Sequence, residues 1–366
     1  MSAGLRVAAF VPYPAQTTPS QRFRIEQWTP LLEAAGIAVE LKPFADRALL
    51  ERLYLPGGAL AKAARLLGAS LRQLGRACGA SRYDALVVHR AACLTGPALI
   101  ERALAAGRAP LIYDFDDAIF RLHTSASNRG FGWLKFPGKT TAICRASDSV
   151  VVGNAYLAEY ARRHNPRVTI VPTSVDTERF APLAERAPGP RVVVGWTGSS
   201  TSQTHLEQFA PMLRELVARR PQVELRVVSD REPDLAGLPI TWRRWSAAAE
   251  VDEIGAFDVG IMPMPDDEWA RGKCGLKLLL SMAMAQATVS SPVGVNREIV
   301  RDGENGLLAA SPDAWLAQLA RLIDDAGLRQ RLGRAARATV VADYSARRSA
   351  ARFAEVVRDA VSRRRA

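Results

Sequence analysis

The chain has 366 residues, 48% hydrophobic and 23% charged, the balance of a soluble globular protein, with room for two or three domains at roughly 150 residues each. Its 49 basic and 37 acidic residues leave a net charge of +12, which favours anionic partners such as nucleotides, phospholipid headgroups or nucleic acid without choosing among them. Wholesale disorder is excluded, and no run approaches the roughly 18 to 20 apolar residues of a membrane span. Met1 to Pro12 lacks the long apolar region and cleavage site of a signal peptide. The scattered Cys78, Cys93, Cys144 and Cys274 read as free thiols of a cytoplasmic protein, not a zinc site.

In chain order, Arg6 to Val11 predicts a buried parallel strand stopped by prolines, followed by a polar loop from Ala15 to Gln21. A helical pattern from about Phe23 to Ala35 closes on Gly36, and Ile37 to Leu41 predicts a second strand. Residues 47–82 are helical by period, broken at Pro56-Gly57-Gly58. Further strands are expected at 85–88, 110–113, 149–152 and 168–171, with helices between most of them. Such alternation marks a parallel sheet covered on both faces. From Thr173 to Pro190 the pattern pauses in a polar, proline-containing stretch, the expected interdomain linker. It restarts with Arg191 to Trp196, then strands near 224–228, 259–262 and 288–290, and ends in an arginine-rich helical tail. Two doubly wound halves with ligands at the carboxyl ends of their strands are expected.

Four segments hold residues suited to chemistry. In Trp269 to Gly306, Lys273 and Lys277 flank Gly275 at the start of a helix. First-turn N–H groups there would attract an anion, although a solvated lysine pair beside a core helix fits too. The loop Gly198-Ser199-Ser200-Thr201 after a buried strand is either a diphosphate cradle of backbone amides or a plain turn, with a helix expected near His205. Asp114, Asp116 and Asp117 crowd the end of the 110–113 strand. Like charges so close would raise at least one carboxyl pKa, as a general acid or base requires; a helix cap is the other reading. Arg22 and Arg24 follow the first strand and suit an acceptor phosphate or the donor diphosphate. His89 reads as a packed histidine, and Arg121 to Thr141 as a mobile loop or acceptor lid.

The run GKCGLKLL, with SPVGVNREIV and DGENGLL behind it, resembles the donor region of retaining GT-B glycosyltransferases of the large group-one, family-four-like family. The likeness extends to GWTGS at 195–199, DVGIMPM at 258–264, and VPTSVDTERF at 171–180. It implies an α/β fold of two Rossmann-like doubly wound domains facing a cleft: 1–175 on the acceptor side, a linker at 176–190, and a nucleotide-sugar-binding domain at 191–345. A last helix, 346–366, would pack back on the first domain. The resemblance implies sugar transfer from a nucleotide-sugar to a glycan, lipid-linked or small-molecule acceptor, without cofactor or metal. By position, Gly198 and Ser199 would face the diphosphate, Lys277 would stand at the donor site, and Asn296 and Glu298 would lie near the donor sugar. Two departures stand out: the family's paired glutamates fall here on Gly272 and Leu280, and the aspartates at 114–117 replace a histidine common in relatives. A transferase-like protein that binds without turnover is therefore the alternative. Nucleic acid is not expected as a partner, because no recognition motif accompanies the charge. The terminal arginines suggest weak, salt-reversible contact with the inner face of a membrane, while Phe353, Val356, Val357 and Val361 fit a packed face.

Overall fold

A computed structural model describes residues 4–53, 57–121, 136, 138–183, 191–235 and 237–366. The lid expected at 121–141 falls mostly outside the described residues. The chain divides into two compact units, Met1–Thr173 with Ala346–Ala366, and Ser174–Ser345.

The first unit is built on six parallel strands: β1 (Leu5–Val11), β2 (Ile37–Pro43), β3 (Ala85–His89), β4 (Leu111–Phe115), β5 (Ser149–Val152) and β6 (Val168–Ile170). Their spatial order is β2-β1-β3-β4-β5-β6, so the order reverses between β1 and β3. Strands β3, β4 and β5 are buried at every position, which is why they read as continuous apolar runs, not alternating ones. One core joins Val7, Ala9, Val87, Ile112 and Val151 of the sheet to Trp28 and to Phe353 and Val357 of the terminal helix Ala346–Arg365. The Trp28 and Phe353 rings lie 5.4 Å apart. Several arginines of that helix are engaged with the same unit: Arg363 with Ser149, Arg364 with Asp148 and the carbonyl of Gly107, Arg365 with Asp84.

The second unit carries β7 (Val192–Gly198), β8 (Val223–Ser229), β9 (Ile240–Arg244), β10 (Val259–Met262), β11 (Ala287–Ser290) and β12 (Leu307–Leu308), all parallel. The order β12-β11-β10-β7-β8-β9 is the 3-2-1-4-5-6 pattern of a Rossmann fold read from the other edge, with its reversal between β7 and β10. Gly195 is required in β7 because a Cβ there would lie 2.0 Å from the Phe257 ring. Residues 176–183, expected as linker, pack into this unit. Arg337 donates to the carbonyls of Thr177, Phe180 and Ala283.

Candidate functional sites at two sheet reversals

Ligands of doubly wound sheets bind beyond the carboxyl ends of the strands, where the strand order reverses. In the second unit that place is the end of β7 and β10, joined by the helix Leu276–Ala283. Lys277 is half-buried. Its Nζ stands 4.2 Å from the centre of the Trp196 ring and donates to Ser202 Oγ at 2.8 Å. Desolvation, helped by the charge on Lys273, pushes the Lys277 ammonium down to about 7. Gly198 makes this placement possible, since a Cβ there would lie 2.5 Å from Trp196 Cη2 and 2.8 Å from Lys277 Cε. Lys273 rests its ammonium 4.3 Å from the Trp269 ring, a cation–π arrangement like that of Lys277.

Gly275 caps the helix in the left-handed region with φ +71°, and no side chain caps its N-terminus. A Cβ at Gly275 would meet Ile299 Cδ1 at 2.5 Å, so only glycine lets the Val295–Ile299 segment approach this turn. Asn296 is fully buried there: its Nδ2 donates to the Ser291 carbonyl at 3.0 Å, and its Oδ1 has no partner among the described residues. Glu298, beside it, is exposed, with its carboxyl raised by partial desolvation. The structure thus gathers Gly198, Lys277, Gly275 and Asn296, and adds Trp196 and Ser202, which sequence reasoning passed over. The neighbouring helix is Ser200–Gln208, five residues earlier than expected, with Ser199 at its N-cap. Ser199 Oγ pairs with Thr201 Oγ1 at 2.8 Å, and Asp230 already accepts from Ser200 N–H at 2.6 Å. An anion at this second helix start would compete with that carboxylate.

In the first unit the reversal lies between β1 and β3. The helical pattern after β1 begins earlier than expected, with a turn at Pro19–Gln21 running into a π-helical turn, Arg22–Glu26. Such turns insert an extra residue and re-aim side chains. Arg24 is fully buried and forks onto Asp114, with Nη2 2.5 Å from Oδ1, while its Nη1 donates to the Val171 carbonyl at 2.8 Å. Arg24 is thus engaged within the unit, at Asp114 and at the Val171 carbonyl. Arg22 is also buried, its guanidinium 5.1 Å from the Phe23 ring.

The three carboxylates stand in different surroundings. Asp114 points into the unit, where burial alone would raise its carboxyl, but the Arg24 charge and hydrogen bonds from His89 and Arg24 hold it below the usual range. Asp116 and Asp117 lie past the strand end, 3.9 and 3.8 Å from the Arg90 guanidinium. His89 is fully buried, as expected, yet it is not merely packed. Its Nδ1 is 2.7 Å from Asp114 Oδ2 and its Nε2 2.9 Å from Ser20 Oγ. Ser20, half-exposed on the Pro19–Gln21 turn, donates to Asp116 Oδ1 at 2.6 Å. Among the described residues no group of three or more His, Cys, Asp or Glu side chains could hold a metal ion.

Residues 191–325 match the family described as Glycosyl transferases group 1. That stretch lies within the second unit, and the chain is a glycosyltransferase. Over 352 residues it is 25% identical to a phosphatidyl-myo-inositol mannosyltransferase of Mycolicibacterium smegmatis, covering 89% of this chain and 86% of that protein. In fold it is similar to a glycosyltransferase of Rickettsia africae, with TM-score 0.69 and 13% identity over 98% of this chain and 99% of the other. It is likewise similar to Anabaena HepE, solved with UDP and glucose, with TM-score 0.64 and 14% identity over 96% and 99% of the two chains. The two Rossmann-like parallel sheets of this glycosyltransferase are the GT-B architecture. Gly198, Lys277, Gly275 and Asn296 all fall inside the matched residues, 191–325.

Proposed function

We propose that this glycosyltransferase moves a sugar from a nucleotide-sugar donor to a hydroxyl of a glycan, lipid-linked or small-molecule acceptor, with retention at the anomeric carbon. One observation supports the donor assignment above others. Lys277 is held over Trp196 at the end of β7, beside a glycine-capped helix start that no side chain closes. A leaving diphosphate placed there meets first-turn N–H groups and two ammonium groups, Lys277 and Lys273, which neutralise charge as the sugar bond breaks. A desolvated lysine gains most from an arriving anion, because the anion restores its charged form. Asn296 Oδ1, buried and unpartnered among the described residues, suits a sugar hydroxyl as donor. The HepE complex with UDP and glucose lends the same donor class, and the resemblance of the 272–306 run lends retention. On the acceptor side, Asp116 and Asp117 are the groups at the end of β4 suited to handle the proton of an attacking hydroxyl.

The decisive experiment is a thermal-shift screen with nucleoside diphosphates and their sugars, followed by a transfer assay with the stabilising donor. Ligand binding to the native state raises the midpoint, with stabilisation growing as RT ln(1 + L/Kd) for a free ligand concentration L. Stabilisation that Lys277→Met reduces, with sugar product in the wild type, is the expected result. No stabilisation by any nucleotide refutes the donor site. Saturable binding without product favours the binding-protein alternative raised by Gly272 and by Leu280, which is buried in the helix core.

We also propose weak peripheral contact with the inner, cytoplasmic face of a membrane, through a surface other than the terminal helix. Phe353, Val356, Val357 and Val361 of that helix are buried. By contrast the helix Ala59–Cys78 exposes Leu60, Leu67, Leu71 and Leu74 in one stripe, and its charged residues are Lys62, Arg65, Arg72 and Arg76 with no acidic one. No helix among the described residues is long and apolar enough to cross a membrane. Apolar residues on a basic helix suit the headgroup boundary of an anionic bilayer.

A further inference from the structure

The groups at the reversal of the first sheet fix one another's protons. Asp114 is fully buried, with Arg24 Nε 3.1 Å from both its carboxylate oxygens and Nη2 2.5 Å from one. Against the desolvation that would raise it, the guanidinium and the bond from His89 keep this carboxyl ionised. An ionised carboxylate only accepts hydrogen bonds. His89 Nδ1, 2.7 Å from Asp114 Oδ2, therefore bears a hydrogen. The other ring nitrogen, Nε2, lies 2.9 Å from Ser20 Oγ, and that hydroxyl lies 2.6 Å from Asp116 Oδ1.

Ser20 has one hydrogen and two partners. If it donates to Asp116, the carboxylate is ionised, and Nε2 must donate to Ser20, which makes His89 an imidazolium. If it donates to Nε2 instead, His89 is neutral and Asp116 bears the proton, donating it to Ser20. Both arrangements have the same total charge. They interconvert when the Nε2 hydrogen moves to Oγ as the Oγ hydrogen moves to Asp116 Oδ1, with no proton gained or lost. Three groups thus hold one proton more than an ionised carboxylate and a neutral imidazole would.

We propose that Ser20 and His89 are positioning residues that share one proton with Asp116, so that this carboxyl takes up and releases a proton against a buried imidazole. Asp114, paired with Arg24, faces His89, while Arg90 stands near both Asp116 and Asp117, with Tyr13 and Tyr113 acting on Arg90. Paired in this way, the charges of Arg24 and Asp114 cancel beside the ring. The use of the relay in catalysis rests on the reading of Asp116 as an acceptor-side group, and the test separates the two.

The test uses the full chain with its histidine ring nitrogens observed by long-range 1H–15N NMR, His89 being assigned by loss of its signals in His89→Gln. In the wild type the Nε2 signal should lie between those of a protonated and a bare ring nitrogen, as a shared proton requires. Asp116→Ala should turn the ring into the neutral form with hydrogen on Nδ1 alone, while the backbone spectrum stays folded. A His89 ring unchanged by Asp116→Ala overturns the relay. Transfer kinetics supply the second arm. Ser20→Ala should move the pH profile of kcat by about one unit or more, the scale of coupled titration, with KM within about twofold, and Ser20→Thr should restore it by keeping the hydroxyl. If the ring responds but the profile does not move, the relay stands and the acceptor-side reading of Asp116 falls.

Discussion

Two reversals of strand order, one in each sheet, hold polar groups in opposite conditions. In the first unit the groups are matched to one another: Arg24, Asp114, His89, Ser20 and Asp116 run as one connected line of hydrogen bonds. In the second unit the counterparts are left with valence to spare. Asn296 Oδ1 is buried without a partner among the described residues, the helix at Leu276 begins without a side-chain cap, and Lys277 is desolvated beside a second ammonium. A satisfied network is rigid and resists an incoming ligand, whereas unsatisfied groups gain by taking one. The contrast supports the proposal of anion binding in the second unit and proton handling in the first.

The largest way to break this contrast is to unpair the closed site. Asp114→Ala leaves Arg24 buried without its partner and should cost about 3–5 kcal/mol of stability, read from urea denaturation. A loss below about 1 kcal/mol would mean that water reaches the guanidinium. Next in size, Asp116→Asn and Asp117→Asn keep shape and should fold normally. At least one should slow transfer about 100-fold or more, as loss of an acid–base group does. Wild-type rates in both would reduce this strand end to a structural cap.

The open site is sharpened by pH. Lys277 loses its proton near 7 in the folded protein but near 10.4 when unfolded. Between those values the unfolded chain binds more protons, so this group adds stability as pH rises from about 7 toward 10. An arriving diphosphate favours the ammonium, so nucleotide affinity should fall over the same window. Lys277→Met should flatten both slopes and weaken nucleotide binding about tenfold, equal to about 1.4 kcal/mol; calorimetric titration at pH 7 and 9 measures it. The smallest effect is expected on the exposed stripe. Leu67→Ser with Leu71→Ser should change stability by less than about 0.5 kcal/mol each, yet reduce co-sedimentation with anionic vesicles at low salt. Equal sedimentation of variant and wild type would remove this helix as the contact surface.

Much of the fold is legible in the sequence because fully buried parallel strands leave uninterrupted apolar runs. Strands that lack such a run escape notice. Ile240–Arg244 is a half-exposed edge strand ending in two arginines, and Leu307–Leu308 is only two residues long. The helix start at Ser200 is hidden because Ser, Thr and Gln are weak signals in a first turn, although Ser199 before them is a good cap residue. At the candidate sites, the glycine and lysine positions stand out by residue type and spacing. Partnership does not. Nothing local ties Arg24 to Asp114, 90 residues away, so charge crowding at 114–117 suggests a raised carboxyl where the fold supplies a lowered one. Ser20 carries no signal of its own, since a serine after a proline marks only a turn.

The terminal helix belongs to the first unit although the whole second unit precedes it in the chain. During vectorial synthesis, residues Ser174–Ser345 emerge as an uninterrupted segment and can complete their core, while the first unit still lacks Phe353, Val357 and the rest of that helix face. Until that helix is made, Trp28 lacks the Phe353 ring that packs against it. The core of the first unit is therefore closed by residues that follow the whole second unit in chain order.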